Sequence, residues 1–279
     1  MEEFFEELSF WDAELSLKGQ YAEFTRKRIN PLQRKEEFPT AIFDRIIPLL
    51  EQRFGPARPF KCVEIGSGPV SNLAYGVDIG LLDVTAVDPL AEEYARLYEK
   101  YHLEDYPVKP VAGCGEILDR MFGEETFHCA YARNALDHTR DIQKTFRNLV
   151  YVTKTGGYVI LQHAVREGSR NKWAELHHWD LDLVSTGLVA IDRKGRAIPL
   201  MAGCPVEFAI VTYQSVEHAR WMDVVLKKVA GIPSYSISFH PLLRIRAVLS
   251  RGSGMEPVSY THLRAHETPE HLVCRLLLE

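Results

Sequence analysis

The chain has 279 residues, 46% hydrophobic and 25% charged, with a formal net charge of -5 and a pI near 6.1. That is the composition of a soluble globular protein with one large domain plus attachments, and it carries no positive excess to attract nucleic acid. No apolar run approaches the about 20 residues of a membrane span, and the N-terminal M-E-E-F-F-E-E-L is acidic, unlike a secretion signal.

Residues 1–58 come before the first strand-like run. Trp11 to Ile29 is predicted as one helix and Pro39 to Phe54 as another, with Asn30-Pro31 breaking between them. Such a layer either caps the opening of the domain that follows or simply packs against it. Its basic residues Arg26, Lys27, Arg28, Arg34 and Lys35 are flanked by Glu23, Glu36 and Glu37, which reads as a solvated helix face rather than a phosphate site.

Phe60 to Ile65 is a short apolar run suited to a buried parallel strand, and it carries one acid, Glu64. Gly66, Ser67 and Gly68 follow at once. Glycine admits positive φ and lets a ligand approach the backbone. Pro69 tolerates the first turn of a helix, predicted over Val70 to Leu82 with its N-terminal N–H groups toward a ligand. A second strand, Asp83 to Val87, delivers Asp88 and Pro89 about 20 residues beyond the glycines. A carboxylate there accepts hydrogen bonds from ribose hydroxyls. The unit therefore reads as a site for an adenosine-containing cofactor. Val70 and Ser71 stand where a dinucleotide fingerprint has its third glycine, which argues against NAD or FAD.

These residues, E-I-G-S-G-P and then V-D-P, resemble the first motifs of the class I S-adenosylmethionine-dependent methyltransferases. The likeness continues in the family's order through Val111 to Leu118 (V-A-G-C-G-E-I-L), Phe127 to Ala135 (F-H-C-A-Y-A-R-N-A) and Leu149 to Gln162, a helix end, a G-G turn and a fifth strand. The resemblance implies an α/β fold, a Rossmann-like mostly parallel sheet with helices on both faces and antiparallel closing strands, here behind an N-terminal helical extension. It implies S-adenosylmethionine as cofactor, with Glu64, Gly66, Ser67 and Gly68 at the methionine portion and Asp88 and Pro89 at the ribose. Cys114 and Glu116 fall at the adenine edge, and Arg133 at the end of the fourth strand. Cys114 stands where many members carry Asp; Glu116 either compensates or caps the next helix.

After the fifth strand, His163 to Asp180 is rich in polar, aromatic and imidazole groups. Lys194-Gly195 marks a hairpin turn within Leu188 to Leu200, and Pro205 to Tyr213 and Arg220 to Lys228 read as the closing pair. The cofactor domain is expected over 59–230, with a substrate-side insertion over about 163–204 and a C-terminal extension over 231–256.

Ligands of open α/β sheets lie outside the carboxyl ends of the strands. The fourth strand leaves into A-R-N-A-L-D-H-T-R-D. There Asn134 is a candidate acceptor contact and His138 the candidate base, because imidazole titrates near neutral pH. Asp137 would orient it or cap the next helix. His163 and Arg166 follow the fifth strand, and with His177 and Trp179 they are the other candidate substrate contacts. They suit a sugar-like or carboxylated acceptor. His163, His177, His178 and Asp180 are metal-ligand types, but their spacing matches no zinc pattern and no metal is expected. R-N-A-L replaces the N-P-P-Y-type motif of enzymes that methylate nucleic-acid bases or glutamine.

Cys62, Cys114, Cys129 and Cys204 make no C-x-x-C pair, which suits a reducing cytoplasm. Val258 to Thr268 resembles one reading frame of a sequencing-library adapter and Leu272 to Glu279 its continuation. Residues 257–279 are therefore expected to be adapter-derived, and His262, His266 and His271 are set aside as ligands. The expected function is methyl transfer from S-adenosylmethionine to a small-molecule polar acceptor in the cytoplasm, without nucleic-acid or membrane partners. The sequence leaves the oligomeric state open. The alternatives are an NAD(P)-dependent oxidoreductase and a non-catalytic protein on the same fold.

Overall fold

The computed structural model describes residues 2–232 apart from 175, 217 and 218; the expected C-terminal extension beyond 232 and the adapter-like 257–279 lie outside the described residues. The chain opens with helices α1 (Glu2–Leu15), α2 (Ala22–Ile29), α3 (Arg34–Glu37) and α4 (Thr40–Phe54). It then alternates through β1 (Phe60–Ile65), α5 (Ala74–Asp78), β2 (Leu82–Asp88), α6 (Tyr94–Lys100), β3 (Val111–Ala112), α7 (Leu118–Met121), β4 (Phe127–Arg133), α8 (Ile142–Val152) and β5 (Thr153–Ala164). After α9 (Glu167–Arg170) come β6 (Trp179–Val184), β7 (Gly187–Asp192), β8 (Ala197–Pro199), β9 (Val206–Val216) and β10 (Ala219–Lys228).

The strand order in the main sheet is β3-β2-β1-β4-β5-β10-β9. β1 pairs in parallel with both β2 and β4, so the chain reverses its winding direction there. That switch point is where an open α/β sheet receives its ligand. β10 runs antiparallel to β5, and β9 antiparallel to β10. This is the expected Rossmann-like sheet with its closing pair.

Alternation along the central strands builds two cores. Val63, Ala130, Ala132, Val159 and Leu161 face Phe146, Leu149 and Val150 of α8. Cys62, Cys129, Tyr131 and Ile160 face the other way, onto Phe43, Ile46 and Leu50 of α4. Both faces are covered, which is why these strands read as near-continuous apolar runs. α8 starts cleanly because the Asp141 carboxylate accepts the Lys144 N–H at 2.9 Å.

Several boundaries differ from the sequence reading. The single helix expected over Trp11 to Ile29 is two, broken where Leu17 takes φ 60° and Gly19 packs on the Glu14 carboxylate. The buried Glu14 carboxylate accepts the Tyr21 N–H at 3.0 Å, tying the two helices together. The helix expected over Val70 to Leu82 is only α5; Ser71 Oγ accepts the Leu73 N–H at 2.9 Å and holds residues 70–73 in turns. The G-G turn lies inside β5 as an irregularity, where pairing with β4 jumps from Phe127↔Thr153 to Cys129↔Tyr158. A Cβ on Gly157 would meet the His128 carbonyl at 2.4 Å. The insertion folds as its own antiparallel sheet β6-β7-β8, with Gly195 at φ 76° in the expected Lys194-Gly195 turn.

Candidate functional site

The turn after β1 shapes the site. Gly66 and Gly68 take φ 61° and 59°, the left-handed region that favours glycine. A Cβ on Gly66 would come within 2.4 Å of the Ala135 methyl, and one on Gly68 within 2.2 Å of the Trp11 indole. The turn is therefore closely flanked, by Ala135 at the exit of β4 on one side and by Trp11 of α1 on the other. Asp88, at the end of β2, accepts N–H bonds from Gly68 at 3.0 Å and Leu90 at 2.9 Å. Those bonds lock the turn to the β2 exit. Burial raises the Asp88 pKa, and the same backbone bonds oppose the rise.

Beneath the turn, Glu64 is buried and its carboxylate accepts the Ser71 hydroxyl. Burial pushes its pKa up to about 7, against the pull of Ser71 and Arg28. Ser67 is also buried, donating to the Gly68 carbonyl at 2.8 Å. Glu64 and Ser67 thus support the turn from below rather than line the space above it. Arg133 donates to Asn72 Oδ1 at 3.1 Å and stacks over Trp221 at 5.5 Å. Near it, Arg28 reaches in from α2 with its Nε buried and unpaired. Burial lowers its pKa first and the Arg133 charge second. Two neighbouring guanidiniums, one with a spare donor, fit a ligand carboxylate.

These groups border one cavity of about 1160 Å³. Gly66, Gly68, Asp88, Pro89, Cys114 and Glu116 line one end, Trp11, Tyr21 and Arg28 cover it, and Asn134, His138, Glu167, Asn171 and His177 line the other end. Glu116 accepts the Arg140 and Asp141 N–H groups at 2.8 and 3.3 Å, so it ties down the segment after His138. Cys114 is half-buried, its pKa raised by burial and by Glu116.

At the far end the polar residues converge on Asp137. His177 Nδ1 lies 2.7 Å from Asp137 Oδ2, and His138 Nε2 lies 3.5 Å from the same oxygen. His138 Nε2 and His177 Nδ1 are 3.3 Å apart. His163 sits behind, with Nδ1 3.8 Å from Asp137 Oδ1. Burial alone would raise the Asp137 pKa, but His138, His177 and His163 outweigh it and hold the carboxyl at about 2. Burial depresses His163 to about 4, so its ring is neutral at pH 7. Asn134 takes φ 49° and accepts the Ala164 N–H at 3.3 Å, which turns the chain back at the β4 exit.

Other sequence expectations are corrected. Arg166 takes φ 52°, is exposed, and pairs with Asp182 at 2.6 Å, outside the cavity lining. Trp179 donates its indole N–H to the Thr139 carbonyl at 2.7 Å, anchoring the insertion instead of lining the cavity. His163 is shut behind Asp137 rather than at the surface of the site. Of the metal-type set His163, His177, His178 and Asp180, only His177 joins the converging group, and its partners are Asp137 and His138. The basic cluster also divides. Arg26 and Lys27 pair with Glu23 and Glu36 at the surface, whereas Arg34 is buried against Asp78 and Arg28 faces the cavity. Arg28 was missed because composition averages over the helix; its place one turn after the buried Thr25 was the available signal.

Residues 63–161 match a family model described as a methyltransferase domain. Among curated proteins no significant match is found. Similar solved structures include the Burkholderia thailandensis 1,6-didemethyltoxoflavin-N1-methyltransferase with bound 1,6-didemethyltoxoflavin and S-adenosylhomocysteine, at 16% identity, covering 69% of this chain and 80% of that one, TM-score 0.43. The PH0226 protein of Pyrococcus horikoshii OT3 is 15% identical over 67% of this chain and 90% of its own, TM-score 0.41. The trans-methyltransferase CalH in complex with SAH is 15% identical over 66% of this chain and 55% of its own, TM-score 0.44. The matched segment runs from β1 into β5 and so contains the glycine turn, Asp88 and the exit of β4. Residues 63–161 are thus a methyltransferase domain, whose cofactor is S-adenosylmethionine.

Proposed function

We propose that the chain methylates a hydroxyl of a small polar acceptor, sugar-like or carboxylated, bound beside S-adenosylmethionine in the same cavity. One observation carries this reading: a single space of about 1160 Å³ has the glycine turn and Asp88 at one end and a polar, imidazole-rich wall at the other. Drug-sized ligands fill roughly 300–1,000 Å³, so the space has room for cofactor and a small acceptor together.

In this reading Asp88 holds the ribose hydroxyls, Pro89, Cys114 and Glu116 border the adenine, and Arg28 and Arg133 meet the cofactor carboxylate. Glu64 and Ser67 keep the turn of Gly66 and Gly68 in shape. Helices α1 and α2 cap the cavity and exclude water, which raises the value of positioning. The insertion over about 163–204 supplies His177 and the acceptor end of the cavity. Bound S-adenosylmethionine supplies an electrophilic methyl on a sulfonium leaving group. Asn134 and Asn171 offer amides to orient the acceptor, and its hydroxyl proton leaves at the Asp137–His138–His177 cluster, of which His138 is the most exposed member. The free cysteines fit the cytoplasm, and the acidic balance speaks for a small-molecule partner.

The experiment is transfer of labelled methyl from S-adenosylmethionine to a panel of hydroxylated acids, sugars, amines and nucleic acid. Labelled ether products from the hydroxylated compounds are expected. Label on amines or nucleic acid, with none on hydroxyl acceptors, contradicts the reading.

A further inference from the structure

We propose that Asp137, His138 and His177 hold one divalent transition-metal ion, of the manganese, iron, cobalt or zinc class, at the acceptor end of the cavity. The inference rests on the reading above and deepens it, since it names what receives the acceptor oxygen.

The geometry comes first. His138 Nε2, His177 Nδ1 and Asp137 Oδ2 form a triangle with edges of 3.3, 3.5 and 2.7 Å. Ligand atoms about 2.0–2.2 Å from a common ion sit at such mutual distances. A two-imidazole, one-carboxylate set with open positions selects borderline divalent transition metals over magnesium or calcium. The two ring nitrogens, 3.3 Å apart, share one carboxylate oxygen, an arrangement one ion can occupy in place of the protons.

The second observation is the state of the surrounding polar atoms. Among the described residues, Asp137 Oδ1, His163 Nε2 and Glu167 Oε2 are buried without a hydrogen-bond partner. Asp137 is 2% exposed and His163 1%. Glu167 faces Arg170 Nη2 at 3.6 Å, which leaves the buried Asp137 carboxylate as the charge that a cation between the imidazoles would meet.

An outer-shell partner is at hand as well. Asn171 Nδ2 lies 3.2 Å from His177 Nε2. A half-turn of that amide brings its oxygen there to accept the Nε2 N–H of the tautomer whose Nδ1 lone pair faces the ion. Both His138 and His177 line the cavity, so the ion's open positions face the acceptor. A hydroxyl ligated there is acidified and loses its proton to water. His138 is then a ligand and not the base.

The test is a titration of the metal-free full chain with Co²⁺ alone, read by visible absorption and calorimetry, without cofactor or acceptor. Saturable binding of one ion per chain is expected, with the d–d bands of a nitrogen-containing protein site. His138→Gln and His177→Gln each weaken binding by roughly a hundredfold or more, beyond the usual cost of losing an outer-shell partner. His178→Gln, next to the cluster but outside it, leaves Co²⁺ binding unchanged. No saturable binding, or a spectrum identical to Co²⁺ in buffer, overturns the proposal, as does equal loss in His178→Gln. Because neither cofactor nor acceptor is present, failure here is separate from failure of the methyl-transfer reading. An active enzyme that binds no Co²⁺ makes His138 the base directly.

Discussion

The indole of Trp11 lies against Gly68, so close that a Cβ on the glycine would come within 2.2 Å of the ring. α1 therefore covers the glycine turn that follows β1. Of the four tryptophans, Trp11 and Trp221 line the cavity. Binding of S-adenosylhomocysteine is expected to change tryptophan emission, and Trp11→Phe to remove most of that change. A full response in Trp11→Phe would show that α1 stands clear of the cofactor. Gly68→Ala pays for φ +59° as well as the clash. A non-glycine residue there costs about 1–2 kcal/mol, so the variant should lose at least that much stability by urea denaturation.

Asp88 has both oxygens engaged with backbone N–H groups, yet it borders the cavity. Asp88→Asn keeps one acceptor and removes the charge. Hydrogen bonds to a charged group are worth about 1.5–3 kcal/mol. Calorimetry should show S-adenosylhomocysteine binding weakened by about tenfold to a hundredfold. Unchanged affinity removes Asp88 from the ribose.

Glu64 gives the fold a pH dependence of known sign. Its folded pKa, about 7, lies above its ordinary 4.5 because burial disfavours the carboxylate. An acid raised in this way contributes stability below the unfolded pKa and loses it as pH rises through the folded value. The loss is at most about 3 kcal/mol, reached above pH 7. The melting temperature of the wild type, relative to Glu64→Gln, should fall between pH 5 and 8. A rising or flat difference contradicts a buried, largely protonated Glu64.

Strand and turn were legible in the sequence, and the convergence of side chains was not. Phe60–Ile65 and Phe127–Arg133 are central parallel strands buried on both faces, so they show as unbroken apolar runs with no competing pattern. Glycines at positive φ and Asp88 lie within one β-turn-β unit and are read locally. The pair Asp137 and His177, 40 residues apart, forms only when the insertion folds back over the exit of β4. Arg166 and Trp179 looked site-like because they sit in a polar run, but a left-handed backbone and a backbone hydrogen bond turn them elsewhere. Arg28 looked solvated because its neighbours are.

The N-terminal helices depend on one half-buried ion pair. Arg34 binds Asp78 through two bonds of 2.9 and 2.8 Å, donates to the Arg28 and Ile29 carbonyls, and stacks on Tyr106 at 4.9 Å. Losing a half-buried pair together with its carbonyl contacts costs about 1–3 kcal/mol, between a surface pair and a fully buried one. Arg34→Met should lose stability in that range by urea denaturation, and cofactor binding should weaken with it as α2 loosens around Arg28. A loss below about 1 kcal/mol, the value of a surface pair, contradicts the anchoring role.

The central claim is that the glycine turn, Asp88 and the two guanidiniums hold S-adenosylmethionine. Calorimetric titration of the full chain with S-adenosylmethionine, S-adenosylhomocysteine and NADH tests it most directly. Binding of the first two with a stoichiometry of about one, and no heat from NADH, is the expected result. Binding of NADH alone would contradict the claim and point instead to a nicotinamide-dependent oxidoreductase.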